Sequence, residues 1–313
     1  MKKFAVSLLL LLSLSLFAAA GEVNWPTKML QVYLPWNAGG DTDLHCRKIC
    51  EIIQKDLGVP VVVTNMAGAA GTVAARHVKD SAPDGYTLLF SQSSFLVASL
   101  IGVADFNYTA LEVACTVVED NSSVLLVKSG DNRFTDMKSF IEFGKENDLL
   151  YGTSIGGHSQ IQGLTVSEAL GIQITSVDVG GTSDVIPALL IGDIDFAIGI
   201  YGTYKAYIDS GDFLPLAIVG PERVSGADIP SIVEFGSDYL FTKLFGFYFP
   251  KGTDWAIIDK FNAAVKTAVY SEAFAEYAKI YNITPIFRGG KDALTYHDEQ
   301  FGIMVPFKSL MVQ

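Results

Sequence analysis

The chain has 313 residues, half of them hydrophobic and 18% charged, with 29 glycines and three cysteines. This composition excludes a disordered protein, a disulfide-stapled miniprotein and a collagen-like fibre, and the length admits two ordinary domains. With 34 acidic against 22 basic residues the net charge is −12. No concentrated basic patch offsets it, which argues against nucleic acid or an anionic membrane surface as partner.

The chain opens like an export signal. Lys2 and Lys3 form a basic head, Phe4 to Phe17 is an apolar run, and Ala18-Ala19-Ala20 supplies small residues at a cleavage point. The competing reading is a membrane anchor. The run is short for a span of about 20 residues, and no basic stop-transfer flank follows. Cleavage near Ala20 and a periplasmic, soluble mature protein are therefore expected. No cysteine stands at the cut for a lipid anchor.

After the signal, short β-rich runs alternate with helical patterns, the mark of an α/β architecture with mostly parallel sheets. Leu30 to Leu34, Val61 to Thr64 and Thr87 to Ser91 read as strands, with helices starting near Thr42 and Thr72. A second series of strands runs from Ser123 to Val127, Leu149 to Thr153, Ile174 to Val177, Asp195 to Ile198 and Leu216 to Val219. Helices near Asp136, Ser159 and Ser183 separate these. Phe245 to Phe249 reads as one more strand, after which Thr253 and Asp254 cap a long helix carrying Ile257, Phe261 and Val265 on one face. No linker separates the two series, so two domains would have to share strands, with crossings expected near Glu119 to Ser122 and Gly236 to Lys243.

Cys46 and Cys50 stand four apart on an expected helix, where side chains share a face but bridge poorly. One disulfide stays open; three buried thiols acting as small apolar residues is the favoured reading. The four histidines are scattered, so no metal is expected.

Three loops each follow an expected strand and open an expected helix: Pro35-Trp36-Asn37-Ala38-Gly39-Gly40-Asp41-Thr42-Asp43, Asn65-Met66-Ala67-Gly68-Ala69-Ala70-Gly71-Thr72, and Gly152-Thr153-Ser154-Ile155-Gly156-Gly157-His158-Ser159. At the carboxyl ends of strands in open α/β sheets, helix N-termini present unpaired N–H groups, and glycine lets a ligand approach the backbone. Such loops suit carboxylates or phosphates. A tight turn without a ligand is the plain alternative for any one of them. Gly68-x-x-Gly71 lacks the third glycine of a dinucleotide fingerprint and no phosphate loop ending in Gly-Lys-Ser/Thr occurs, so no cofactor is expected. Gly152 to Gly156 also satisfies G-x-S-x-G, and Asp195 and His297 follow in hydrolase order. A secreted α/β serine hydrolase using Ser154 is thus the rival reading, although His297 lies in a charged stretch that reads as a solvated face.

These motifs, in their order, resemble the extracytoplasmic solute receptors of tripartite tricarboxylate transporters, the Bug-type binding proteins. The resemblance rests on Trp25-Pro26-Thr27-Lys28, the loop from Pro35 to Asp43, Asn65 to Gly71 and Pro83-Asp84-Gly85-Tyr86-Thr87-Leu88-Leu89. It continues through Tyr151-Gly152, Leu190 to Asp195, Asp228-Ile229-Pro230-Ser231 and Phe245 to Gly252. It implies a two-lobed periplasmic-binding-protein fold of type II, with two open sheets joined by two crossing strands. One lobe would be residues 21–120 with 237–313, the other 121–236. It also implies a monomer that closes on a small organic acid without catalysing a reaction and delivers it to membrane transporter subunits. Carried over, the ligand-binding residues are Trp36, Asn37 to Asp43 and Ala67 to Gly71, then Ser91, Gln92 and Ser93. From the other lobe come Thr153, Ser154, Gly156, His158 and Ser159, with Gly181, Thr182, Ser183 and Asp184.

Five residues depart from the family pattern: Asp41, His158, Val179-Gly180 where an aromatic and a Lys or Gly commonly stand, and Asp184. An ionised carboxylate about 4 Å from a ligand carboxylate costs roughly 4 kcal/mol at an effective dielectric near 20. Asp41 therefore either caps its helix or meets a cation. A ligand ammonium, as in an acidic amino acid, would satisfy Asp41 or Asp184; the alternative ligand is a di- or tricarboxylate held mainly by backbone groups.

Overall fold

The computed structural model describes residues 23–238 and 241–312, so the expected export signal lies outside the described residues. The first series comprises β1 (Leu30–Leu34), α1 (Asp41–Leu57), β2 (Val61–Asn65), α2 (Thr72–Lys79), β3 (Thr87–Gln92), α3 (Ser94–Leu100) and β4 (Leu111–Asp120). The second comprises β5 (Ser123–Lys128), α4 (Met137–Glu146), β6 (Asp148–Thr153), α5 (His158–Leu170), β7 (Gln173–Asp178), α6 (Thr182–Ile191), β8 (Phe196–Ile200), α7 (Tyr201–Asp209) and β9 (Phe213–Val219). The chain then returns as β10 (Lys243–Pro250), α8 (Trp255–Val269), α9 (Glu272–Tyr281), β11 (Thr284–Gly289) and α10 (Gly290–Met304).

Two sheets result, ordered β11-β4-β10-β3-β1-β2 and β7-β6-β8-β5-β9. Parallel pairing is confined to β2-β1-β3 and β7-β6-β8, while the pairs made by β10, β11 and β5 are antiparallel. Both sheets are therefore mixed. A parallel neighbour needs a helical crossover, and the strands that arrive from the other sheet enter in the opposite direction instead.

Strand side chains alternate between two buried layers, as the pleat requires. Leu88, Phe90, Phe245, Phe247 and Phe249 pack with α1 and α8, whereas Leu89 and Tyr248 pack with α2 and α3. In the second sheet Leu125 and Val127 face one layer, Val124 and Leu126 the other. Fully burying one such side chain contributes about 1.5–3 kcal/mol. Cys46, Cys50 and Cys115 are buried free thiols within this packing. Among the described residues no helix is long and apolar enough to cross a membrane.

The sheets meet at two crossings. Only Asn121 and Ser122 separate β4 from β5, and residues 220–242 lead from β9 back to β10. At this pivot the Ser122 hydroxyl lies 2.7 Å from Asp120 Oδ1 and 2.9 Å from the Asn282 carbonyl. The carboxyl ends of β1, β3 and β6 consequently face one another across a cleft.

Candidate functional site

Helix N-termini leave backbone N–H groups unsatisfied unless a side chain caps them. Two helices away from the cleft have such caps: Asp136 accepts the Ser139 N–H at 2.8 Å, and Asp254 accepts the Ala256 N–H at 2.9 Å. The three helices that open into the cleft lack them, as do the helices that begin after Gly71 and Gly289. Each of the three has a glycine at its N-cap, Gly40 for α1, Gly157 for α5 and Gly181 for α6, and none receives a side-chain bond from that cap.

These ends converge. A Cβ placed on Gly40 would stand 3.7 Å from the Ser183 nitrogen, so the first turns of α1 and α6 face each other with no side chain between them. Gly40, Ser159, Thr182 and Ser183 line one space of about 530 Å³, partly open to solvent, with Gln92, Ser94, Tyr204 and Lys243. Ser183 Oγ and Trp36 Nε1, both lining it, are buried without a hydrogen-bond partner in the protein, and buried polar atoms left this way commonly belong to a ligand or water.

Asp41 has its cation inside the protein. Lys243, the first residue of β10, pairs with Asp41 Oδ2, and Asp41 Oδ1 accepts the Thr42 N–H at 2.6 Å. Burial would raise the Asp41 pKa, but the charge and hydrogen bond of Lys243 outweigh it and hold the carboxyl below its ordinary value. The pair thus presents an ammonium to the cavity with its charge already balanced. Tyr204 approaches across Gly199, where a Cβ would fall 2.5 Å from the ring. Burial raises its pKa and keeps it a neutral donor. Gln92 Nε2 (2.6 Å) and the His158 N–H (2.8 Å) both donate to Ser94 Oγ. With both lone pairs occupied, the Ser94 proton is left for the cavity.

The other expected residues divide by role. Asp43 shapes the first loop, accepting from the Gly39 N–H (3.0 Å), Arg47 Nε (2.8 Å) and Asn65 Nδ2 (2.9 Å). Ser93 Oγ accepts the Leu244 N–H and ties β3 to β10. Thr153 Oγ1 lies 2.6 Å from Ser159 Oγ, and the Gly156 N–H donates to Gln160 Oε1 at 2.8 Å. His158 is buried, and burial, reinforced by Lys243, pulls its pKa down to about 3. The second loop turns through four consecutive positive φ values, Gly68 at 137°, Ala69 at 45°, Ala70 at 50° and Gly71 at 94°. It lines a separate space at the cleft mouth with Asn37, Ile155, Asp178 and Asp184, divided from the inner cavity by Trp36 and Gly181. Ala38 and Gly39 are exposed beside it. Lys243, Tyr204 and Gly199 were not read as site residues from sequence. Lys243 had a signal, being the one base in the apolar strand KLFGFYFP; Tyr204 had none.

The hydrolase constellation does not assemble. His297 is buried rather than solvated, held by Tyr248 Oη at 2.7 Å and the Ala293 carbonyl at 2.8 Å. Its charged neighbours point outward while one face of α10 packs on the sheet. Asp195 bonds Arg133 at 2.7 Å and the Leu150 N–H at 2.8 Å, near the start of β6, whereas Ser154 follows its end. Neither group reaches Ser154.

Two mixed α/β lobes with glycine-capped helix ends facing across a cleft define a two-lobed solute-binding protein. The chain belongs to the tripartite tricarboxylate transporter receptor family, whose model matches residues 45–301. That is a family of periplasmic receptors, not of enzymes. A UPF0065 protein from the gbd 5′ region of Cupriavidus necator is 29% identical over 271 residues, covering 83% of this chain and 81% of that one. The structure of the periplasmic binding protein BugD has a TM-score of 0.82 at 25% identity, covering 91% of this chain and 97% of its own. MatC of Rhodopseudomonas palustris, solved with bound malate, has a TM-score of 0.82 at 24% identity, covering 92% and 100%.

Proposed function

We propose that the protein is an exported receptor that closes its lobes on a small carboxylate and presents it to the membrane subunits of a tripartite tricarboxylate-type transporter. One observation carries the reading: three glycine-capped helix N-termini meet at a cavity that also holds Lys243. Each helix end acts as roughly half a positive charge and points its first-turn N–H groups at the cavity, which is the complement of a carboxylate. The family membership and the malate in MatC support the same class. The lobes would be residues 21–120 with 237–313 and residues 121–236, the crossings acting as the hinge, with the signal removed near Ala20.

A di- or tricarboxylate is the preferred ligand, because Asp41 already has Lys243 and needs no ligand ammonium. An acidic amino acid is the second reading, with an ammonium that would have to extend past Trp36 to the exposed Asp178 at the mouth.

The test is native mass spectrometry of the protein purified from its periplasmic fraction, followed by calorimetric titration with malate, adipate and glutamate. Saturable one-site binding of a carboxylate, retained in Ser154→Ala and absent for the corresponding diamide, is expected. Binding of uncharged solutes alone would overturn the reading.

A further inference from the structure

We propose that Asn37 and Asp184 form a clasp across the cleft mouth that holds the lobes shut, rather than contacting the ligand. The inference goes beyond the proposed function, since it concerns closure rather than what is bound. Asn37 precedes α1 on one lobe and Asp184 lies in the first turn of α6 on the other. The Asn37 side-chain amide donates to both carboxylate oxygens of Asp184, at 3.0 and 3.1 Å.

The backbone around Asp184 is shaped to keep its carboxylate there. Its Oδ2 also accepts the Gly181 N–H at 3.1 Å, so one side chain caps its own helix and receives the opposite lobe. Gly180 stands at a φ of +95°, and a Cβ on it would fall 2.8 Å from Asp184 Oδ2. Any other residue at 180 would crowd the carboxylate.

Position separates the clasp from the ligand. Asn37 and Asp184 line the mouth space, whereas the helix ends, Tyr204 and Lys243 line the inner one. Between them Trp36 lies against Gly181, its Cε3 3.3 Å from where a Cβ would stand. A solute in the inner cavity therefore has the indole and then the clasp between itself and water. The pair is exposed and ion–neutral, so its contribution is modest and reversible, as a gate requires.

Small-angle X-ray scattering of the ligand-free protein tests this. Asn37→Ala removes the donor and Asn37→Asp sets two carboxylates against each other. Each is expected to lower the closed-to-open ratio, by roughly three- to tenfold for the alanine and by more for the aspartate, seen as a larger radius of gyration. The double variant Asn37→Asp with Asp184→Asn reverses the pair: the new side-chain amide donates to the new carboxylate, and its oxygen still accepts the Gly181 N–H. It is expected to return the wild-type radius. Identical scattering from all four proteins, or a double variant as extended as Asn37→Asp alone, would overturn the clasp. Thermal midpoints confirm that each variant is folded, since exposed Asn37 carries no packing. Because no ligand is present, the outcome is independent of whether the chain binds a carboxylate.

Discussion

At the scale of single residues, the Lys243–Asp41 pair decides what the cleft tolerates. A buried ion pair stripped of one partner leaves an uncompensated charge, at a cost of about 3–5 kcal/mol. Lys243→Met is therefore expected to destabilise the protein by that order in urea unfolding, and Asp41→Asn added to it should recover most of the loss. A second variant separates binding from stability. Tyr204→Phe removes one neutral donor and is expected to weaken carboxylate binding by roughly three- to tenfold while leaving the unfolding midpoint nearly unchanged, as calorimetry and urea titration would show. Unchanged affinity would mean that the phenol only packs across Gly199.

At the scale of elements, the helices differ in how their N-termini are capped. Those with side-chain caps are structural: Asp136→Ala should cost about 1 kcal/mol of stability and leave ligand affinity untouched, because α4 opens away from the cleft. The glycine-capped helices at the cleft forgo a cap side chain and leave their first turns facing the cavity. Helix packing at the pivot is equally restrictive. A Cβ on Gly202 would stand 2.2 Å from Tyr281 Cα, where α7 crosses the end of α9. Gly202→Ala is expected to force these helices apart and destabilise by about 1–3 kcal/mol, measured by the same denaturation. Most elements were legible, because β1, β6 and β10 are runs of apolar and β-branched residues bounded by turn formers. Two strands escaped. β4 carries Glu112, Glu119 and Asp120 near its ends, and β11 reads TPIFRG, with the proline, arginine and glycine of an edge strand. Their strand character comes from pairing, β4 with β10 and β11 and β11 with β4, which a local pattern does not record.

At the scale of the whole molecule, the buried histidines set an acid limit. Burial lowers His45 and His297 to about 4 and His158 to about 3, against an ordinary value of 6.5. In that window the unfolded chain binds more protons than the folded one, so stability is full above about 6.5 and falls as pH drops toward the folded values. Each histidine contributes a slope of about 1.4 kcal/mol per pH unit. Asp41 and Asp43, held low, extend the loss at more acid pH, while Asp120, raised by burial, works in the opposite sense. Urea midpoints measured between pH 7 and 4 should fall steeply, with proton uptake on unfolding; a flat profile would contradict the burial of these rings.

The sequence by itself determined the α/β class, most strands, the glycine loops and the family, because these depend on local periodicity and on short ordered motifs that survive as text. It did not determine which residues meet. Asp41 stood out as an unexplained acid 202 positions before the lysine that balances it. Asn37 and Asp184, 147 apart, both read as ligand contacts, and only the folded chain shows their side chains hydrogen-bonded to each other. His297 read as solvated because its neighbours are charged. Such pairings are decided by where two crossings bring the lobes, and long-range electrostatics and burial leave no periodic trace along the chain.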